Sequence, residues 1–300
     1  MDLSIIVVNW NTREMLSQCL TSIYAHPPEG EFEVLVVDNA SSDGSDQMVW
    51  DRFPQVRLIR NTDNVGFAQA NNQAIPESCG RYVLLLNPDT EVLPHALQTL
   101  VEFMETHARA GAIGPMVLNP DFTLQSSCNP MPTLWREFWR LMLLDRFLAQ
   151  SAYGEENWDA TVAHRVEVIQ GNCLLIRREP LSDVGLLDDA FFMFTEEVDL
   201  CYRLLQGRWL IYWVPMARII HHGGQSTRQA FKEMFIELHR SKVVFFRKTR
   251  GAWGSVVYKL ILLLTALTRL PWGFIGLGKS NGAAQRSRLY LDLLRLLPSL

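Results

Sequence analysis

Two rhythms of hydrophobic positions alternate along the first third of the chain. Short β-branched runs at Leu3–Val8, Glu33–Val37, Val56–Arg60, Arg81–Leu86 and Ala112–Val117 read as strands, and amphipathic segments separate them. After the first run, Met15, Leu16, Cys19, Leu20 and Ile23 recur at helical spacing behind Thr12, a candidate N-cap. Strands alternating with helices predict β-α units on a largely parallel sheet. Polar residues gather where the strands end, at Asn9, at Asp38 and at the Asn87-Pro88-Asp89 turn. In an open α/β sheet that edge is where ligands bind.

Residues 119–165 break this rhythm with Pro120, Pro130, Pro132 and the Trp/Leu/Arg-rich stretch Trp135–Phe147, an insertion placed to wall an acceptor site. Strand signal returns at Val166–Arg177. An aromatic turn at Phe191–Phe194, a helix over Glu197–Gln206 and a strand at Trp209–Val214 follow, and the chain then reaches His221-His222-Gly223-Gly224. Beyond residue 240 the pattern is helical. Val256–Thr268 is strongly apolar but interrupted by Lys259 and followed by Arg269 and Pro271, so no uncharged run approaches the roughly 20 residues that span a bilayer. Trp253, Tyr258 and Trp272 among Arg and Lys suit a helix lying in a membrane interface; packing against protein is the alternative for such a face.

Charge sharpens the division. From Ser241 onward ten Lys or Arg stand against Asp292, a net +9 in a chain of −4, which leaves residues 1–240 at −13. A basic tail on an acidic body points to an anionic partner such as a phospholipid surface or a lipid-linked diphosphate. No nucleic-acid module accompanies the basic residues, so nucleic acid is not an expected partner. The five cysteines, Cys19, Cys79, Cys128, Cys173 and Cys201, are scattered without metal-type spacing and read as reduced thiols of a cytoplasmic protein.

The candidate chemistry lies in four short segments. Val36-Val37-Asp38-Asn39-Ala40-Ser41-Ser42-Asp43-Gly44 sets an acid directly after a strand and before a small polar loop, a place from which a carboxylate accepts the imide N–H of uracil or thymine. Together with Ser4–Asn11, Asn64–Phe67 and Asn87–Asp89, in that order, it resembles the catalytic domain of family-2 glycosyltransferases, nearest the rhamnosyltransferase-like branch, from residue 4 to about 227. The resemblance implies a GT-A fold: an α/β architecture with a mixed, mainly parallel sheet between helices, here followed by a basic amphipathic helical tail. It places a catalytic domain over residues 1–240, with a nucleotide-binding half to about 118 and an acceptor half from about 119, and the tail over 241–300.

By that resemblance Asp38 holds the pyrimidine base, with Asn9 and the Asn64–Gly66 turn lining the nucleotide pocket. Asn87-Pro88-Asp89 takes the place of the Asp-x-Asp metal motif. Asn87 replaces its first acid, so a divalent cation, Mn²⁺ or Mg²⁺, is expected to arrive with the nucleotide and rest on Asp89. Phe194-Thr195-Glu196-Glu197-Val198-Asp199 stands where the family carries its general base. Glu197 is the expected base, Glu196 the adjacent alternative, and Asp199 a supporting acid. His221-His222-Gly223-Gly224-Gln225-Ser226 resembles the His-x-Gly-Gly-x-Ser turn, in which His221, or failing it His222, completes the metal shell. Gly171 and Asn172 of the Gln170–Cys173 turn point to substrate contacts.

The reading that follows is inverting transfer of a sugar, from dTDP-rhamnose or a UDP-sugar, onto a glycan or polyprenyl-diphosphate-linked acceptor at the inner face of the cell membrane, in cell-surface polysaccharide assembly. Its rival is a catalytically silent nucleotide-sugar binding or assembly subunit. A nucleotidyltransferase would want a Gly-rich phosphate loop after the first strand, where this chain has Asn9-Trp10-Asn11-Thr12.

Overall fold

The computed structural model describes residues 1–144, 153–224, 229–275 and 281–300; the expected positions 145–147, Gln225 and Ser226, and the side chain of Trp272, lie outside what it describes. The chain forms two compact units, one of residues 1–131, 153–192 and 196–229, the other of 132–152, 193–195 and 230–300.

In chain order the elements run β1 (Leu3–Asn9), α1 (Arg13–Ala25), β2 (Phe32–Asp38), α2 (Ser45–Arg52), β3 (Arg57–Arg60), α3 (Phe67–Ala74), β4 (Tyr82–Leu86), β5 (Thr90–Val92), α4 (Ala96–Thr106) and β6 (Ala110–Leu118). They continue with β7 (Leu124–Gln125), β8 (Cys128–Asn129), α5 (Leu134–Leu141), β9 (His164–Arg165), β10 (Val168–Ile169), β11 (Cys173–Arg177), α6 (Leu181–Val184), α7 (Glu196–Gln206), β12 (Leu210–His221), α8 (Phe231–Ile275) and α9 (Asn281–Leu296).

The first unit is built on a mixed sheet of order β3-β2-β1-β4-β11-β6-β12-β5, with β7 on β6 and β9 on β12. Pairing is parallel among β3, β2, β1 and β4 and between β6 and β12; β11 enters antiparallel between β4 and β6, and β5 adds antiparallel to β12. Every residue of β1 and β4 is buried, as strands covered on both faces require. Leu16, Cys19, Leu20 and Ile23 of α1 and Leu97, Leu100 and Met104 of α4 share one core with Ile5, Val36 and Leu84, so the helical spacing in the sequence is the buried stripe.

Three expectations change in detail. Thr12 does stand at the start of α1, but its hydroxyl donates to Asn9 Oδ1 at 2.6 Å and caps nothing. The helix entry is closed instead by Asp43, whose Oδ2 accepts the Arg13 N–H at 2.8 Å. The strand expected over Val166–Arg177 is broken into β10 and β11, because the turn between them leaves the ladder, and the strand expected to stop at Val214 runs on to His221.

The second unit is helical. Helix α8 begins at Phe231, is interrupted at Gly251, and over Phe231–Leu270 is long and apolar enough, by length and composition, to cross a membrane, with a mean hydropathy of 1.5 in its most apolar window. Beyond Gly251 it exposes Trp253, Val256, Leu260, Leu264 and Leu267, spaced by three or four on one face. Before Gly251 it is tied to α5 by buried charge: Glu137, 4% exposed, takes Lys242 Nζ at 2.6 Å and Arg140 Nη2 at 2.7 Å. Burial alone would raise the Glu137 pKa, but the two cations outweigh it and hold the carboxyl at about 2. His239 lies in the same unit with Nδ1 3.0 Å from the Tyr258 hydroxyl, and burial, reinforced by Lys242 and Arg140, lowers its pKa to about 3.

Both shifts are depressions, so the stability they give is complete above the ordinary values of 6.5 and 4.5 and is lost as pH falls toward 3 and then 2. Between pH 6.5 and 4.5 His239 dominates, and the unfolding free energy should fall by roughly 1.4 kcal/mol per pH unit, the cost of one proton taken up only by the unfolded chain. Urea midpoints against pH check this. His239→Gln should flatten the slope in that window, and an unchanged slope would reject the assignment.

Candidate functional site

The parallel register pairs Asn9, the last residue of β1, with Asp38, the last of β2. Both are buried, and Asn9 Nδ2 donates to Asp38 Oδ1 at 3.0 Å while Asp38 Oδ2 accepts the Ser41 N–H at 2.9 Å. The carboxylate is thus aimed by its neighbours and keeps lone pairs on both oxygens for a further donor. An open cleft of about 670 Å³ is lined by Asn11, Thr12, Arg13, Asp43 and Gln229 among others, with Asp38 outside its lining. Asn11 joins cleft and loop: its N–H donates to Ser41 Oγ at 2.9 Å and its Oδ1 accepts the Ser42 N–H at 2.7 Å.

The Asn64–Gly66 segment is a tight turn in which Asn64 Oδ1 accepts the Gly66 N–H at 3.0 Å. The main chain of Phe192 presses on it: the Phe67 N–H donates to Phe192 O at 2.7 Å, and a Cβ on Gly66, whose φ is +88°, would stand 2.3 Å from the same oxygen. Asn39 Nδ2 holds Gly66 O at 3.2 Å, which links this turn to the Asp38 loop.

Asn87 and Asp89 follow β4, and His221 closes β12. The antiparallel register pairs His221 with Thr90, which brings His221 Nε2 to 3.2 Å from Asp89 Oδ1 and to 3.4 Å from Asn87 Nδ2. Asp89 is 4% exposed and His221 9%. His222 turns the other way, with Nε2 2.6 Å from Glu91 Oε1, so of the two histidines the strand delivers His221 to Asp89. Gln125 on β7, which no sequence signal singled out, places Oε1 2.6 Å from His221 Nδ1.

One anionic oxygen and one imidazole nitrogen 3.2 Å apart fit neighbouring positions in the shell of a small divalent ion, whose octahedral edge is roughly 3 Å, and the mixed donor set suits Mn²⁺ better than Mg²⁺. Among the described residues no cluster of three or more His, Cys, Asp or Glu is arranged to hold a metal.

The acidic segment opens α7, where Glu196 is 4% exposed and Glu197 is half-buried. Phe194 and Thr195 just before it have φ of +67° and +72°, a left-handed pair that is costly for a β-branched residue and re-aims the chain into the helix. Glu197 lies against the Gly171 turn, since a Cβ on Gly171 would come within 3.8 Å of Glu197 Cβ and 3.7 Å of Phe67 Cε1. Asn172, 5% exposed, has neither side-chain nitrogen nor oxygen hydrogen-bonded among the described residues, while its carbonyl accepts the Asn87 N–H at 3.0 Å. A buried carboxamide in that condition is built to meet a ligand or ordered water. Asp199, expected as a supporting acid, pairs within its own helix. At 1% exposed it is bound by Arg203 Nε at 2.8 Å, and the same guanidinium grips the carbonyls of Val184, Gly185 and Leu186, so this acid braces the α6–α7 connection.

The family model described as Glycosyl transferase family 2 matches residues 4–185. A curated relative from Mycobacterium tuberculosis, N-acetylglucosaminyl-diphospho-decaprenol L-rhamnosyltransferase, is 30% identical over 265 residues, covering 84% of this chain and 86% of its own. The chain belongs to glycosyltransferase family 2. Among family relatives, rhamnosyltransferase WbbL of Escherichia coli is 25% identical over 181 residues, 57% of this chain and 66% of that one.

Solved structures show that the family-2 chain has the GT-A fold. The mannosyltransferase PcManGT of Pyrobaculum calidifontis, in complex with GDP-Man and Mn²⁺, superposes with a TM-score of 0.57 at 16% identity, over 97% of this chain and 84% of that one. GalNAc-T7 with UDP, GalNAc and Mn²⁺ gives 0.57 at 16% identity, over 74% of this chain and 44% of its own length.

The Gly66 turn offers a direct check on the geometry. Gly66→Ala should cost about 1–3 kcal/mol through backbone strain and collision with Phe192, read as a lowered thermal midpoint. Gly44→Ala, at φ +78° with open space around its Cβ, should cost less. Equal losses would mean that the Phe192 contact does not constrain the turn.

Proposed function

We propose that this family-2 glycosyltransferase moves a sugar, from dTDP-rhamnose or a UDP-sugar, onto a glycan or polyprenyl-diphosphate-linked acceptor, by single displacement with inversion, in cell-surface polysaccharide synthesis. The observation that carries the reading is the approach of Asp89 Oδ1 and His221 Nε2 to 3.2 Å, at the strand ends that also present Asp38 and Asn87. The rhamnosyltransferase relatives support rhamnose as the sugar, and the Mycobacterium tuberculosis relative supports a lipid-linked acceptor.

In this mechanism Asp38, oriented by Asn9 and Ser41, accepts the imide N–H of the pyrimidine. Asp89 and His221 would hold the divalent cation, which would supply positive charge to neutralise that developing on the departing diphosphate. The Glu197 carboxylate takes the proton of the acceptor hydroxyl as that oxygen forms its bond to the anomeric carbon, and the bond to the diphosphate oxygen breaks on the opposite face with its electron pair. Such a positioned base typically contributes ~10²–10⁴-fold. A Cβ at Gly171 would lie at van der Waals distance from Glu197, which supports placing the turn and the acid in one site. Asn172 offers its carboxamide to a substrate hydroxyl.

Calorimetric titration with dTDP, UDP, GDP and CDP, each with Mn²⁺, Mg²⁺ or EDTA, should show metal-dependent binding confined to the uracil and thymine nucleotides. Asp89→Ala and Glu197→Gln should both abolish transfer, and the former alone should weaken metal-dependent nucleotide binding. Equal loss of binding in the two variants would sink this division of labour. Donor binding without transfer to any acceptor would instead favour a silent binding subunit.

The exposed stripe Trp253, Val256, Leu260, Leu264 and Leu267, with exposed Arg247, Lys248 and Arg250 just before it, supports peripheral seating on the anionic cytoplasmic face of the cell membrane. Co-sedimentation with phosphatidylglycerol vesicles should exceed that with phosphatidylcholine. Leu260→Glu should lower it by about tenfold or more, the worth of one leucine withdrawn from an apolar phase. Unchanged sedimentation would show that the stripe faces something other than lipid.

A further inference from the structure

A string of polar side chains in the β6–β7 hairpin ends on His221, and none of the residues leading to it has a role in the mechanism above. The Thr123 hydroxyl donates to Asp121 Oδ1 at 2.6 Å, and Thr123 Oγ1 receives Asn119 Nδ2 at 2.9 Å. Asn119 Oδ1 receives Gln125 Nε2 at 2.8 Å, and Gln125 Oε1 meets His221 Nδ1 at 2.6 Å.

The polarity of this string is fixed at its origin. An ionised carboxylate only accepts, and hydrogen bonds from the Thr123 hydroxyl and N–H hold the Asp121 pKa below the ordinary carboxylate value. Thr123 therefore spends its single proton on Asp121 and must accept from Asn119. Asn119 then presents its oxygen to Gln125, and Gln125 presents its oxygen to the ring. Main-chain carbonyls give an independent check, for Asn119 Nδ2 also faces Leu124 O at 3.5 Å and Gln125 Nε2 faces His221 O at 3.5 Å. Flipping either amide would set oxygen against oxygen.

We infer that Gln125 is a positioning residue that locks the neutral His221 ring with its proton on Nδ1, leaving the Nε2 lone pair turned toward Asp89. The lock has a competitor. Asp89 Oδ1, 3.2 Å from Nε2, is a charged acceptor and would otherwise draw the single ring proton to its own side, where it would block the lone pair. Gln125 answers with a shorter contact, 2.6 Å, and with an oxygen polarised by the bonds behind it. Two acceptors flank the ring, and the relay decides which one takes the proton. The benefit to cation binding rests on the proposed reading of Asp89 and His221; the tautomer itself does not.

The test is a long-range ¹H–¹⁵N spectrum of the histidine side chains in the full chain, at a pH where the ring is neutral, joined to calorimetry with Mn²⁺ and dTDP. The wild type should show His221 protonated on Nδ1. Gln125→Leu should move the proton to Nε2 and weaken Mn²⁺-dependent dTDP binding by about 10–100-fold, as losses of such orienting partners do. Gln125→Glu, which keeps an acceptor opposite Nδ1 but sets its second oxygen against Asn119 Oδ1, should return the ring proton to Nδ1. A wild-type ring protonated on Nε2, or a Gln125→Leu protein that keeps the Nδ1 proton, overturns the inference. An Nδ1 proton in a wild type that binds dTDP equally with and without Mn²⁺ supports the lock and overturns the reading of Asp89 and His221 as cation ligands.

Discussion

The site depends on the register in which β12 lies against β5. Pairing His221 with Thr90 sets the imidazole beside Asp89; a slip of one residue would turn His221 to the opposite face of the sheet and bring His222 in its place. Both faces of β12 are covered here, Ile219 and Ile220 being buried in succession, so the register is carried by the longer parallel ladder of β12 on β6, which sets Ile219 against Val117 and Ile220 against Leu118. Backbone pairing thus fixes the placement of two polar groups more than a hundred residues apart.

Polar satisfaction does similar work elsewhere in the first unit. Asp38 is held by Asn9 and Ser41, Gly66 by Asn64 and Asn39, and His221 by Gln125. Each of these groups would be expensive to bury alone, so each is fixed in direction by the partner that makes burial tolerable. Asn172 stands apart, a buried carboxamide whose side-chain atoms have no hydrogen-bond partner among the described residues, and it lies in the turn that runs beside Glu197.

The parallel half of the sheet was legible in the sequence because strands covered on both faces are written as nearly continuous apolar runs, as in Ile5–Val8 and Val83–Leu86. The three-residue β5 and the antiparallel insertion of β11 were not, since strand order and direction leave no trace in local hydrophobicity. Asp89 and His221 stood out through their motifs, whereas the choice between His221 and His222 needed the register. Asp199 stood out only as one acid among several, and its pairing with Arg203 a helical turn away carries no motif of its own. Gln125 and Asn119 were silent, because a glutamine and an asparagine in a hairpin are ordinary until the chain folds them against a ring.

The helical unit is assembled from three separated stretches of chain, residues 132–152, 193–195 and 230–300. It is therefore not a module that a single cut removes or a single fusion transplants. A chimaera that exchanged residues after 230 alone would strip Glu137 of Lys242, leaving a carboxylate that the native protein buries at 4% exposure to find a new cation in a foreign helix. Exchange between relatives would have to carry α5 and α8 together, and evolution is bound by the same linkage: the two segments must drift as a pair.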